Sequence, residues 1–240
     1  MIEPWQIEEA IGRALGTDPA LFGRQVLVTA GPTHEPIDPV RYVGNRSSGR
    51  MGYAIAQAAW RRGAEVTLVS GPSSLDPPFG VEVVPVQTAQ EMYDAVAARI
   101  GGSDVNVFSA AVADFRPADA KDSKVKRAAT GDGLTVDLTE NPDVANDTRA
   151  ARKAGSLNVG FALETDDLLA HAAEKLVRKG FDLLVANDAT EEGAGFGVST
   201  NRVTLLTPDG SSEALPLLSK DEVAEEILDR VGPLLGEGQG

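Results

Sequence analysis

Three stretches of this sequence hold residue types that could bind or move charge. The first runs from Gly31 to Gly52 and closes on Asn45-Arg46-Ser47-Ser48-Gly49-Arg50. Hydroxyls and backbone N–H groups at a helix start, next to Arg46 and Arg50, suit an anion. An ordinary serine N-cap on a glycine-rich turn accounts for Ser-Ser-Gly equally well. A dinucleotide fingerprint would place its glycines within about six residues and start the helix at once, whereas about 20 residues intervene here. The second stretch follows Ala110-Ala-Val-Ala-Asp114 and carries Lys121, Lys124, Lys126 and Arg127, with Gly131 and Gly133 at its exit. An acid at a strand end beside several cations suits a triphosphate and Mg²⁺, with Asp114 as oxygen ligand. Solvated surface charge is the commoner fate of such runs. In the third, Lys175, Arg178 and Lys179 share a helix face by their spacing, which serves an anion or simply complements a helix C-terminus.

Other chemistries find less support. His34 and His171 lack metal-ligand spacing, and no Gly-x-Ser-x-Gly elbow is present, though a dispersed Ser-His-Asp triad stays open. The strand that should carry an acid for a nicotinamide ribose ends Val69-Ser70-Gly71, so that cofactor in its usual mode is not expected.

The elements that must position these residues alternate in the α/β manner. Strands are expected at Gln25–Ala30, Glu65–Ser70, Val81–Val86, Val105–Ala110, Asn158–Ala162 and Asp182–Ala186. Helices are expected at Gly52–Arg62, Ala89–Ile100, Asp167–Lys179 and Lys220–Leu235. Leu134–Leu138 alternates like an exposed strand, and Arg202–Leu206 with Glu213–Leu217 forms a hairpin turning at Pro208-Asp209-Gly210. The fold class is therefore Rossmann-like: a three-layer αβα arrangement with a mainly parallel sheet and a small β extension. Ligands bind beyond the carboxyl ends of such strands, so the loops after Ala30, Ala110, Ala162 and Ala186 matter most. Residues 1–23 read as a linker helix, with a packed cap as the alternative, 24–236 as one domain, and 237–240 as a disordered tail.

Composition narrows the partners. The 240 residues include 22 Lys+Arg and 36 Asp+Glu, a net charge of −14, and no Cys. That balance disfavours nucleic acid and anionic membranes. Without thiols there are no disulfides, thiolate zinc sites or cysteine nucleophile. No apolar run reaches the length of a membrane span, and no signal-peptide core opens the chain. A soluble cytoplasmic protein is expected.

Taken in order, several pieces resemble one family, the bacterial phosphopantothenate–cysteine ligase (phosphopantothenoylcysteine synthetase), commonly the C-terminal half of a bifunctional coenzyme A biosynthesis protein. They are Gly31-Pro-Thr through Asn45-Arg-Ser-Ser-Gly-Arg-Met-Gly52, Ala110-Ala-Val-Ala-Asp-Phe115, Lys124-Val-Lys-Arg127, Asn141-Pro-Asp143, Gly160-Phe-Ala-Leu-Glu-Thr165 and Ala186-Asn-Asp188. The resemblance covers roughly Gln25–Arg230 and implies a CTP-dependent joining of 4′-phosphopantothenate to cysteine through an acyl-cytidylate, releasing pyrophosphate and then CMP.

By the same resemblance Asn45 is catalytic, its amide donating to the acyl oxygen of the intermediate. Phe108, Ser109, Ala110, Asp114, Lys124, Pro142, Asp143, Val144, Ala145, Phe161, Lys175 and Lys179 fall on nucleotide-binding positions, with Lys124 in a flap. Phosphate and substrate binding fall on Gly31, Arg41, Ser47, Ser48 and Gly49, and Asp114 is the expected Mg²⁺ ligand. His34 departs from the pattern and receives no role, and Arg127 replaces a Lys. The resemblance further implies a homodimer, no flavin in this chain, and a fused or associated flavin-dependent decarboxylase. A reductase on the same scaffold and a non-catalytic nucleotide-binding module are the competing readings.

Overall fold

The computed structural model describes residues 3–126, 133–164, 168–188 and 200–237. Arg127, Gly131, Thr165 and residues 238–240, on which parts of the sequence reading fall, lie outside them. Helix α1 (Pro4–Leu15) leads into β1 (Gln25–Ala30) and a ribbon of β2 (His34–Pro36) and β3 (Tyr42–Gly44). Then come α2 (Arg50–Arg61), β4 (Glu65–Ser70), β5 (Glu82–Pro85), α3 (Ala89–Ala97) and β6 (Val105–Phe108). A second ribbon, β7 (Phe115–Pro117) and β8 (Leu138–Glu140), precedes the one-turn helix α4 (Val144–Asp147). Next are β9 (Leu157–Glu164), α5 (Leu168–Lys179) and β10 (Leu183–Asp188). The last elements are β11 (Thr200–Asn201), β12 (Val203–Leu206), β13 (Ser212–Ala214), β14 (Leu218–Ser219) and α6 (Lys220–Glu237).

The central sheet has the order β13-β12-β10-β9-β6-β1-β4-β5. Its pairs are parallel except where the β12–β13 hairpin adds an antiparallel edge beside β10. Parallel strands are buried on both faces, which is why they read as unbroken apolar runs. Val26, Val28, Val107 and Val185 turn to one face, where they pack with Ile55 of α2 and Ile227 of α6. Leu27, Leu184 and Ala186 turn to the other, against Met92 of α3 and Leu176 of α5. Each fully buried Val, Leu or Ile side chain contributes about 1.5–3 kcal/mol, so the two faces together fix the layer order. The expected three-layer αβα architecture is the one observed.

Strand order reverses between β1 and β6. From β1 the crossover runs outward through α2 to β4; from β6 it runs the other way to β9. The loops after β1 and β6 therefore part, leaving a crevice above the strand ends. Gly31, at φ +77°, makes the turn that opens it, and its carbonyl accepts a 2.9 Å bond from the Ala111 N–H of the neighbouring loop.

Several expectations need correction. The strand placed at Leu134–Leu138 begins only at Leu138 and runs to Glu140, because its partner is Phe115–Pro117. The alternation of Leu134, Val136 and Leu138 mimicked pairing that the fold does not make. The long first loop contains the β2–β3 ribbon, and α6 extends through Glu237, into the expected tail. Helix α1 is docked on α2 without burying any residue, which leaves the linker reading standing. Arg13 donates to the carbonyls of Trp60 and Ala64 at 2.6 and 2.9 Å, and Arg61 pairs with Glu9. No helix among the described residues is long and apolar enough to cross a membrane.

Candidate active site

A cavity of about 590 Å³ lies over the carboxyl ends of β1, β6, β9 and β10. Its floor is Phe108, Ser109 and Ala110 at the end of β6, with Phe161 from β9. Ser109 is committed to the sheet: its Oγ donates to the Thr29 carbonyl at 2.7 Å.

On the α2 side stand Asn45, Ser47, Ser48 and Gly49. Gly49, at φ +80°, is the N-cap, and Ser47 Oγ accepts from the Gly49 N–H at 3.3 Å. The cap is a left-handed glycine, in place of the serine cap that the sequence also allowed. Gly52 brings the helix down onto the sheet, since a Cβ there would sit 2.6 Å from both Ala30 Cβ and Ser109 Oγ. Asn45 bridges to the next loop: its Nδ2 donates to the carbonyls of Ala111 and Val112 at 3.3 and 3.0 Å. Two acceptors fix which end of the amide faces them, because Oδ1 there would meet two carbonyl oxygens. Both protons are thereby used, and Oδ1 is the group left for a ligand.

The opposite wall comes from Pro142, Asp143, Val144 and Ala145, with Lys175 and Lys179 of α5. Asp143 caps α4 by accepting from the Asn146 N–H at 3.1 Å, and it pairs with Lys179 at 2.8 Å. Burial pushes the Asp143 carboxyl up, but the hydrogen bond and charge of Lys179 outweigh it and hold it below its ordinary value. Arg178, on the same helix, does not reach the cavity.

Asp114 lines the mouth, exposed to solvent. No group of three or more His, Asp or Glu that could hold a metal occurs among the described residues. A single carboxylate fits Mg²⁺ only when the ion shares phosphate oxygens from a ligand, the ordinary arrangement for that ion.

Three expected site residues lie off the cavity wall: Gly31, Arg41 and Lys124. Gly31 sits behind Gly49 as the turn; a Cβ on Gly49 would meet its N at 3.1 Å. Arg41 pairs with Asp38 and donates to the Val125 carbonyl at 2.8 Å, while Val125 N–H donates to Asp38 at 3.1 Å. The Arg41 guanidinium holds the Asp38 carboxyl well below the usual carboxylate range, against a smaller opposing effect of burial. This pair ties the Lys124 loop to the β2–β3 turn, and Lys124 itself is exposed. His34 stacks on Tyr42, ring centroids 3.7 Å apart, away from the cavity.

Sequence reasoning missed Arg152, Asn201 and Lys220. Arg152 is the buttress of the α4–α5 wall. Its guanidinium donates to the Ala145 carbonyl at 2.6 Å and to those of Lys179 and Gly180 at 3.2 and 2.9 Å. It also lies 5.3 Å from the Phe108 ring centroid and 5.8 Å from that of Phe181. Gly160 leaves room for Phe181, whose ring would lie 2.2 Å from any Cβ at that position. Nothing in the local sequence marks Arg152, since all its partners are backbone oxygens or rings brought in by the fold. Asn201, the last residue of β11, and Lys220, the first of α6, also line the cavity, with no motif around them.

The family model for the DNA/pantothenate metabolism flavoprotein C-terminal domain matches residues 21–234. The chain is 46% identical over 236 residues to the coenzyme A biosynthesis bifunctional protein CoaBC of Vibrio vulnificus strain YJ016, covering 98% of this chain and 58% of that protein. It is 46% identical over 219 residues to the CoaBC protein of Bacillus subtilis strain 168, covering 91% of this chain and 53% of that one. The chain thus spans a little over half the length of these curated relatives. Among solved structures, the crystal structure of the C-terminal domain of a CoaBC protein aligns with a TM-score of 0.77 at 40% identity, covering 92% of this chain and all of that one.

Arg152→Met should leave a folded protein with a loosened wall. Three carbonyls lose a charged donor, a cost of about 1–3 kcal/mol, so Tm should fall by about 2–12 °C. Amide exchange should quicken at residues 144–147 and 178–180 alone. Unchanged exchange there would show that Arg152 does not hold the wall.

Proposed function

The chain belongs to the DNA/pantothenate metabolism flavoprotein C-terminal domain family, and from that premise we propose that it is a phosphopantothenate–cysteine ligase of coenzyme A biosynthesis that uses CTP. One observation carries the reading. Four sequence-distant segments, carrying Asn45 with Ser47–Gly49, Ala110–Asp114, Pro142–Ala145 and Lys175/Lys179, meet around one cavity at the switch point.

The chemistry takes two steps. A carboxylate oxygen of 4′-phosphopantothenate attacks the α-phosphorus of CTP, and the bond to the β-phosphate breaks to release pyrophosphate. The amine of cysteine then attacks the acyl carbon, the bond to the nucleotide oxygen breaks, and CMP leaves as the amine gives up a proton. A free carboxylate is a poor electrophile; nucleotidylation supplies its leaving group. The protein's part is positioning and charge neutralisation. The α4–α5 wall takes the nucleotide, with the backbone of Pro142–Ala145 beside its base and Lys175 and Lys179 beside its charged part. Mg²⁺ would arrive with the triphosphate and neutralise part of its charge, and the Asp114 carboxylate at the mouth would share it. Asn45 Oδ1 accepts from the attacking amine and aims it. Lys124, on the loop that Arg41 and Asp38 tie down, closes over the phosphates.

Other roles follow from the same reading. A second copy of the chain would cover Val40, Tyr42, Phe115 and Leu138, which expose 48–61% of their surface on the β2–β3 and β7–β8 ribbons. A homodimer is therefore expected, and a monomer mass by light scattering in a fully active sample would exclude it. A flavin-dependent decarboxylase, fused or associated, would consume the product, in the cytoplasm.

The deciding assay measures pyrophosphate release. It should require both CTP and phosphopantothenate, with ATP a poor substitute. In Asn45→Asp an anionic oxygen would face the Ala111 and Val112 carbonyls and turn the side chain away. That variant should still release pyrophosphate once per site yet pass the acyl group to cysteine about 10²-fold more slowly, the usual cost of a misplaced nucleophile. Release without phosphopantothenate would sink the ligase reading. Equal loss of both steps would sink the role of Asn45.

A further inference from the structure

The Asp114 carboxylate is exposed at the cavity mouth and makes no hydrogen bond or ion pair among the described residues. A side chain without a partner is aimed only by the backbone that carries it. Along that backbone the carbonyls of Ala111 and Val112 accept from Asn45. The next two accept from one residue on the other side of the crevice, Asn141. Its Nδ2 donates to the Ala113 carbonyl at 2.8 Å, and its N–H donates to the Asp114 carbonyl at 2.8 Å. The Ala113 N–H donates in turn to Oγ1 of the buried Thr33 at 2.9 Å. Two asparagines, one from each wall, thus take four consecutive carbonyls, and the last two belong to the peptides on either side of the Asp114 Cα. Peptides are planar, so fixing both sets φ and ψ of Asp114 and with them the direction of its Cα–Cβ bond.

The local sequence explains why Asn141 stands there. Pro142 follows it and biases it to extended backbone, so the β7–β8 ladder, which pairs Phe115 with Glu140, carries on by one bond to Asp114. Which end of the amide meets which partner is also settled. Oδ1 accepts from Arg116 Nη1 at 3.1 Å, and the same Nη1 donates to the Glu140 carbonyl at 2.7 Å. Turning the amide over would set an oxygen against the Ala113 carbonyl and an amino group against the guanidinium. An Asp at this position lacks the donor for Ala113, and a Ser lacks the reach. Asn45 keeps its Oδ1 for a ligand, whereas Asn141, though it lines the cavity, has both ends of its amide engaged by the protein. Its part is to place another group.

We propose that Asn141 is the positioning residue for Asp114, fixing where that carboxylate meets the triphosphate and its metal ion, and joining the Ala110–Asp114 loop to the nucleotide wall that begins at Pro142. The proposal rests on the reading of Asp114 as the carboxylate that shares Mg²⁺ with CTP. Aim matters for this ion in particular. Mg²⁺ demands near-ideal octahedral geometry with short bonds, about 2.0–2.1 Å, so a carboxylate that drifts with its backbone loses the ion where a more flexible cation site would adapt.

Calorimetric titration with CTP, in excess Mg²⁺ and again in a chelator, tests this without turnover. The quantity of interest is the factor by which Mg²⁺ tightens CTP, because a general loosening of the nucleotide wall cancels from it. Asn141→Ala should lower that factor by about 10-fold, the scale of one charged contact. Asp114→Asn should lower it by a similar amount, and the double variant no further than Asp114→Asn alone, because Asn141 acts through Asp114. An unchanged factor in folded Asn141→Ala, or losses that add in the double variant, overturns the proposal. If Asn141→Ala does not fold, Asn141→Ser, whose hydroxyl falls short of the Ala113 carbonyl, takes its place under the same criteria. A wild-type chain for which Mg²⁺ does not tighten CTP at all overturns the reading of Asp114 and the proposal with it, and that outcome is distinct because it appears before any substitution is made.

Discussion

Two loops that must part company where strand order reverses, between β1 and β6, set everything else in this molecule. A parallel strand can return to its sheet only by a long crossover of fixed hand, so β1 and β6 send their chains to opposite sides. The gap between them cannot be filled by either crossover. What narrows it is glycine. Gly31 turns where a side chain would strain the backbone, and Gly52 lets α2 touch the strands at a distance that any Cβ would forbid. The helix start is thereby held over the strand ends, and Asn45 is tied across the gap to Ala111 and Val112.

The same constraint divides the charge. Because the sheet is covered on both faces, cations reach the crevice from two directions: Lys175 and Lys179 from α5, Arg50 and Lys220 from α2 and α6. Four cations gathered around one cavity repel one another, and local partners offset that repulsion. Lys179 has Asp143 as its partner, and that wall is in turn held by Arg152 through backbone carbonyls. Under the proposed reaction, this separation would keep the phosphate groups of the nucleotide and of phosphopantothenate apart.

The sheet strands and major helices were legible because their apolar periodicity is set by burial on two faces, which leaves a direct trace in residue type. The loops that carry Asn45, Ser47–Gly49 and Asp114 were legible for a different reason, since strand-end position in a parallel sheet identifies them. The short ribbons were not, because β2–β3 and β7–β8 have three residue pairs each and are held by neighbouring segments, as where Glu35 accepts from the Ala89 N–H and Asn141 donates to the Ala113 carbonyl. Leu134–Leu138 shows the limit: alternation indicates that a strand is possible and does not say with what it pairs. Arg152 was illegible for the same physical reason. Its role depends on backbone carbonyls, and spacing along the chain carries no trace of them.

The central claim is that the cavity activates a carboxylate by transferring a nucleotidyl group to it. Isotope transfer tests this without reference to any variant. With phosphopantothenate labelled with oxygen-18 in both carboxylate oxygens, a complete reaction with CTP and cysteine should place one labelled oxygen in the phosphate of each CMP and none in pyrophosphate. CMP that carries no label would mean that the carboxylate never bonded to the α-phosphorus, and the account would be wrong.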